Sequence, residues 1–191
     1  MIYIVVLNWN GAIDTINCVK SLMDLNVSDY KIIIVDNCSM DNSYDTIKEN
    51  LNSLYIADKS IIEVKYEDRN KYKTLENDKI ILIQSPQNNG YASGNNIGIE
   101  FALNQENMKY VWVLNNDTEV DKEALTHLIS KCDSDKSIGI CGSRLVYFAD
   151  REMQQGLGGV HNKWLCTTKN YEMGRLVSKK YDDEVISNDI D

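Results

Sequence analysis

Proline occurs once in these 191 residues, and neither a Pro/Gly-rich linker nor an internal repeat breaks the chain. A repeat array and a flexibly tethered pair of domains are therefore disfavoured, and the length predicts one domain with a sizeable core. No CxxC pair exists among Cys18, Cys38, Cys132, Cys141 and Cys166. An odd, widely spaced set disfavours both a disulfide framework and a zinc site, and predicts reduced thiols in a cytoplasmic protein. Long apolar runs are missing as well: Ile2 to Leu7 is short and has no basic leader, which is too little for a signal peptide or a membrane span. Clustered positive charge is absent, the formal charge being -9 with scattered lysines, so a nucleic-acid backbone is not the expected partner. What remains, 43% hydrophobic and 26% charged residues, is the composition of a chain that folds.

The elements follow from periodicity. "IYIVVL" and "KIIIVD" are β-branched runs without alternation, as in parallel strands covered on both faces. Ile16, Val19, Leu22 and Met23, and later Tyr44, Ile47, Leu51 and Leu54, recur at helical spacing and predict a helix after each strand. Residues 55–78 lose the pattern; "IIEVKY" has strand character but "EDRNKYKTLENDK" is charged, so this stretch is expected to be a surface excursion. "KIILI", a helix over "YASGNNIGIEFAL", the strand "YVWVL" and a helix carrying Leu125, Leu128, Ile129 and Cys132 come next. "IGICG" and "RLVYF" predict two further strands, "QGLGG" a flexible turn, and the last residues a charged tail. Alternating β and α elements predict an α/β fold, a Rossmann-like sandwich with a mostly parallel central sheet and helices on both faces.

In such sheets ligands bind outside the carboxyl ends of the strands. Four polar clusters fall there: "NWNG", "DNCSMD", "NNGYASGNN" and "NNDTEVD". Asp36 directly follows a strand, so it is suited either to accept hydrogen bonds from a base imide or a ribose hydroxyl, or simply to cap the turn. Asp117 has a sharper rationale. A carboxylate about 4 Å from a phosphate incurs roughly 4 kcal/mol of repulsion per charge pair at an effective dielectric near 20, so an acidic phosphate site needs a bridging cation such as Mg²⁺ or Mn²⁺. Asn115 and Asn116 supply neutral amide groups to the metal, its waters or the phosphates, or else start the next helix as an Asx turn. Gly90 and Gly94 permit close backbone approach, and Asn95 and Asn96 present neutral donors near a helix start. Neither GxxxxGK[ST] nor GxGxxG is present, which counts against a kinase or a dehydrogenase. His127 reads as a helix surface residue, His161 as a loop residue near a possible acceptor side, and Trp9 as an aromatic at the rim.

Together "VVLNWNG", "VDNCSMDNS", "NNGYASGNNIGI" and "VWVLNNDTEVDKEAL" resemble the family 2 glycosyltransferases of the GT-A fold, especially the rhamnosyltransferase-like group, over residues 2 to 160 or so. The resemblance implies a nucleotide-sugar donor, dTDP- or UDP-linked, lying across the strand ends. Asp36 then serves the base, Asn8 and Asn10 line the nucleotide, and Gly90, Asn95, Asn96 and Asn116 complete the donor site. The "NND" triplet stands where the family has its DxD metal motif, so Asp117 is the expected ligand of Mn²⁺ or Mg²⁺ and Asn115, replacing the first acid, a weaker one.

The family's reaction is an inverting displacement in which an acceptor hydroxyl attacks the anomeric carbon as the nucleoside diphosphate departs, and a general base takes the proton. The acceptor is implied to be a glycan or a lipid-linked glycan of a cell-surface polysaccharide, placing the protein in the cytoplasm or at the inner face of the membrane. The family's base lies downstream of "QGLGG", and no residue is assigned to it here: Asp182, Asp183, Glu184, Asp189 and Asp191 read as a solvated tail. The expectation is one GT-A domain over 1–191, incomplete at its C-terminus. Two other readings stand beside it: a module that binds nucleotide-sugar without turnover, and a sugar nucleotidyltransferase, which would want a basic Gly-rich loop that "NWNGAIDT" does not supply.

Overall fold

The computed structural model describes residues 1–54, 60–156, 158–171 and 173–177. The chain divides into two compact units, Met1–Leu125 and Thr126–Asp191.

The first unit is built on five strands, β1 (Ile2–Asn8), β2 (Tyr30–Asp36), β3 (Ser60–Val64), β4 (Asp78–Gln84) and β5 (Tyr110–Asn115), with helices α1 (Ala12–Met23), α2 (Ser43–Leu54) and α3 (Tyr91–Leu103) between them. The strands form one parallel sheet in the order β3-β4-β2-β1-β5. Every residue of β1 and β2 is buried, which explains their lack of alternation: both faces are covered.

Strand alternation divides the core in two. Tyr3, Val5, Leu7, Ile33, Val35, Ile81 and Ile83 pack on one face against Ile97, Phe101 and Ala102 of α3. Ile4, Val6, Ile32, Ile34, Ile80 and Leu82 are buried on the other, the face of α1 and α2 with their buried Ile16, Val19, Leu22, Ile47 and Leu51. The chain steps from β1 to β2 in one direction and from β4 to β5 in the reverse direction, so right-handed crossovers put α3 opposite α1 and α2. The turns after the strands therefore diverge at the carboxyl edge and leave a crevice.

Part of the expected surface excursion belongs to the sheet. Ile61 to Val64 pair with Ile80 to Ile83, and Tyr66 and Tyr72 pack against the core. The strand is hard to read because it is an edge: it has one neighbour and is followed at once by the charged stretch around a single 3-10 turn, Tyr66–Asp68. Residues 55–59 lie outside the described residues.

The second unit follows along α4 (Ala124–Ser134), which begins in the first. "IGICG" forms no strand; Ile140 is 95% exposed, and an apolar run becomes a strand only where a ladder partner takes its backbone groups. Of "RLVYF" only β6 (Leu145–Val146) is extended, pairing antiparallel with β7 (Gln154–Gly156). A second hairpin joins β8 (Gly158–Asn162) to β9 (Thr167–Tyr171), so strands occupy both sides of the expected "QGLGG" turn, Leu157 itself lying outside the described residues.

Candidate nucleotide-sugar site

Register delivers the polar residues to one edge. Asn8 of β1 is the partner of Asp36 in β2, and Asp36 is the partner of Gln84 in β4, so three polar side chains end three adjacent strands on the α1 and α2 face. Asn8 and Asp36 are 0% exposed. A carboxylate can stay buried only when donors surround it. Oδ1 of Asp36 accepts from Asn8 Nδ2 at 2.8 Å and Ser39 Oγ at 2.6 Å, and Oδ2 accepts from the Ser39 amide at 3.1 Å and Gln84 Nε2 at 3.3 Å. Asp36 therefore holds the β2–α2 turn from within, as the capping role expected beside the ligand-binding one requires.

The turns after β1 and β2 are stitched to each other. Asn10 adopts a left-handed φ of 51° and Cys38 one of 57°. The Asn10 amide donates to Ser39 Oγ at 2.9 Å, and its side-chain oxygen accepts from the Met40 amide at 2.8 Å. Asn10 is itself exposed and borders a cleft of about 430 Å³ lined by Gly11, Ala12, Ile13, Asp14, Asp41, Asn42, Ser43 and Thr46. That volume falls in the usual range for small-molecule clefts. Two of its lining side chains are carboxylates, which suit hydroxyl and N–H donors and not phosphate. Trp9, 54% exposed, is the neighbouring aromatic.

A third cluster closes on the second. Asn37 Nδ2 donates to Asn88 Oδ1 at 2.9 Å and to the Gly90 carbonyl at 3.3 Å. Gly90 has φ 88°, a conformation that glycine alone adopts without strain, and it opens α3 into free space. Gly94 does something else: a Cβ there would sit 2.5 Å from Leu7 Cδ1, so its close approach is to β1 and not to a ligand. Asn95 is buried with its side-chain nitrogen on the Tyr91 carbonyl and its oxygen without a partner among the described residues, whereas Asn96 is exposed.

The fourth cluster is split by strand alternation. Asn115 pairs in register with Leu7, on the α3 face, and its Oδ1 accepts the Tyr91 hydroxyl at 2.7 Å. Asn116 turns the other way, donating from Nδ2 to Thr15 Oγ1 at 3.1 Å and to the Gly11 carbonyl at 3.3 Å. Thr15, fully buried in α1, donates in turn to Asn8 Oδ1 at 2.8 Å. Asp117 is exposed, with no hydrogen bond among the described residues. Burial and, to a lesser degree, the Asp117 charge push the Cys18 thiol up to about 12, which removes that cysteine as a nucleophile.

No cluster of three or more His, Cys, Asp or Glu side chains able to hold a metal occurs among the described residues. A single solvent-facing carboxylate with an amide oxygen beside it still suits a hard, oxygen-liganded cation whose other ligands are phosphate oxygens and waters. A closed protein cage it is not. His127 lies on the exposed side of α4, the side chain of His161 is outside what is described, and so are the acidic residues from 182 onward.

Thr15, Asn37, Ser39, Gln84 and Tyr91 belong to this edge although sequence reasoning did not single them out. Asn37 and Ser39 sat inside a cluster already noticed; Thr15 and Gln84 carry no local signal, because only packing shows which way they face.

The family model described as "Glycosyl transferase family 2" matches residues 3–157. The Haloferax volcanii protein named low-salt glycan biosynthesis hexosyltransferase Agl10 is 33% identical over 106 residues, 53% of this chain and 32% of that protein. The chain thus matches about a third of that relative's length. Among solved structures, the mannosyltransferase PcManGT from Pyrobaculum calidifontis, in complex with GDP-Man and Mn2+, gives a TM-score of 0.52 at 12% identity over 72% of this chain and 33% of that one. S. aureus TarS gives 0.50 at 14% identity, covering 76% and 21% respectively. At these identities the structures show the fold. Among the described residues no helix is long and apolar enough to cross a membrane.

Proposed function

The chain belongs to glycosyl transferase family 2, and from that premise we propose that its first unit holds a nucleotide-sugar donor for an inverting, divalent-metal-dependent sugar transfer. The observation that carries this is the union of four turns, after β1, β2, β4 and β5, by side-chain hydrogen bonds at the carboxyl edge of one parallel sheet.

In this reading the base and ribose enter the cleft between the β1–α1 and β2–α2 turns, where Asp14 and Asp41 accept from hydroxyl or N–H groups. Asp36 contributes by ordering the wall of that cleft. The diphosphate lies toward Gly90 and the "NND" loop, and Asp117, with Asn115 as a weaker partner, holds Mn²⁺ or Mg²⁺ against it. The cation's chemistry is to neutralise the departing diphosphate. The acceptor hydroxyl attacks the anomeric carbon, the carbon–oxygen bond to the nucleoside diphosphate breaks, and a base takes the hydroxyl proton. The finer assignment is a rhamnosyltransferase-like enzyme using a dTDP- or UDP-sugar, with a glycan or lipid-linked acceptor in cell-surface polysaccharide synthesis.

Calorimetry tests this directly, with UDP, dTDP and GDP titrated with and without Mn²⁺. Expected is metal-strengthened binding of one nucleotide; Asp117→Ala removes the dependence on metal, and Asp36→Ala weakens binding in either condition. Equal affinity in the native chain and both variants sinks the site assignment. Binding without donor hydrolysis or transfer supports instead the reading of a nucleotide-sugar-binding module.

A further inference from the structure

We infer that Thr15 is a positioning residue through which the Asp36 carboxylate, together with the neighbouring Gly11 carbonyl, holds the side-chain orientation of Asn116, so that Asn116 meets the ligand with its carbonyl oxygen and not its NH₂. The ligand rests on the functional reading above; the orientation does not.

Each step is forced by what its partner can do. A carboxylate only accepts, so the Asn8 atom 2.8 Å from Asp36 is the nitrogen. The Asn8 oxygen then faces Thr15, whose hydroxyl at 2.8 Å must donate. With its proton committed, Thr15 Oγ1 has only lone pairs to offer Asn116 at 3.1 Å, and so takes the amide nitrogen. The Gly11 carbonyl, also acceptor-only, lies 3.3 Å from the same nitrogen and demands the same orientation independently. Space there is made by the missing side chain: a Cβ on Gly11 would lie 2.8 Å from that nitrogen. The chain of donors runs in one sense from Asn116 to the buried charge, so each link polarises the next.

The consequence is chemical. With its nitrogen engaged twice, Asn116 offers an acceptor beside Asp117. An acceptor suits a sugar hydroxyl or a metal-bound water and disfavours a bare phosphate oxygen. Asn116 is thus assigned to the hydroxyl or hydrated-cation side of the ligand, away from the diphosphate oxygens.

The test uses the 191-residue chain with Thr15→Val, which removes the hydroxyl at nearly constant shape, Thr15→Ser, which keeps it, and Gly11→Ala. Side-chain amide resonances of Asn8 and Asn116 are read in ligand-free protein, and affinity for UDP with Mn²⁺ in parallel. Expected are displaced Asn8 and Asn116 resonances in Thr15→Val and binding weaker by about tenfold, the scale of one buried hydrogen bond. Thr15→Ser restores both. An Asn116 resonance unmoved in Thr15→Val, or a Thr15→Ser variant as impaired as Thr15→Val, overturns the inference. Should Thr15→Val not fold, Gly11→Ala decides: the Asn116 resonance shifts and binding weakens, or the inference fails. A native chain that binds no nucleotide sinks the functional reading alone, since the resonances still settle the orientation.

Discussion

Four donors surround the Asp36 carboxylate, and their removal one at a time gives the energetics of the site at the scale of single residues. Asn8 supplies one of them and accepts from Thr15, so Asn8→Ala takes one of two donors from a buried carboxylate oxygen, Ser39 Oγ remaining, and leaves the proton of the buried Thr15 hydroxyl without its acceptor. The expected loss is about 1–3 kcal/mol of unfolding free energy, measured by urea titration with the m-value unchanged. A loss below about 0.5 kcal/mol, the usual range of a surface substitution, shows that water replaces the amide and that the turn is open. The residue types of this network were legible in the sequence: Asn8, Asp36 and Asn116 were each expected at the site. Their partners were not. An asparagine looks the same in a sequence whether its amide faces a ligand or a buried partner, and here the amide nitrogens of both Asn8 and Asn116 face inward, to Asp36 and Thr15.

Helix α3 shows the same at the scale of an element. Its helical span was readable from "YASGNNIGIEFAL", and Gly94 in its first turn was expected to permit close backbone approach. Gly98 sits where a Cβ would meet Val5 Cγ1 at 2.5 Å and Val35 Cγ2 at 3.3 Å, and Gly94 presses on Leu7 in the same way. The glycines set how closely the helix lies on the sheet, and with it how near Tyr91 comes to Asn115. Gly98→Ala gains up to about 1 kcal/mol of helix propensity but overpacks a core against β1 at a cost of about 1–3 kcal/mol. The outcome expected is a net loss of about 1 kcal/mol in chemical denaturation; a stabilised variant means that α3 shifts freely. Strand β3 was obscured for a different reason. A charge interrupts its apolar residues and more charges follow, yet the interrupting residue, Glu63, ties the strand to α2 through Lys48 at 2.7 Å and Tyr44 at 3.0 Å.

For the whole molecule the governing quantity is charge. At a formal -9 the net charge of the protein opposes the approach of a nucleoside diphosphate, and salt screens that repulsion. Metal-free affinity for UDP is therefore expected to rise between about 0.05 and about 0.5 M NaCl, opposite to the behaviour of a basic phosphate site, where counterion competition weakens binding. Affinity that falls steeply with salt points to a local cationic patch and against the bridging cation. The sequence by itself determined the class of fold, most of the helices and parallel strands, and the four polar clusters, because period and composition are local properties that survive without a third dimension. Tertiary structure alone decided the strand order β3-β4-β2-β1-β5, the side of the sheet each asparagine faces, and the chain from Asn116 through Thr15 and Asn8 to Asp36. Those depend on register and burial between residues up to a hundred positions apart, and no local pattern carries that information.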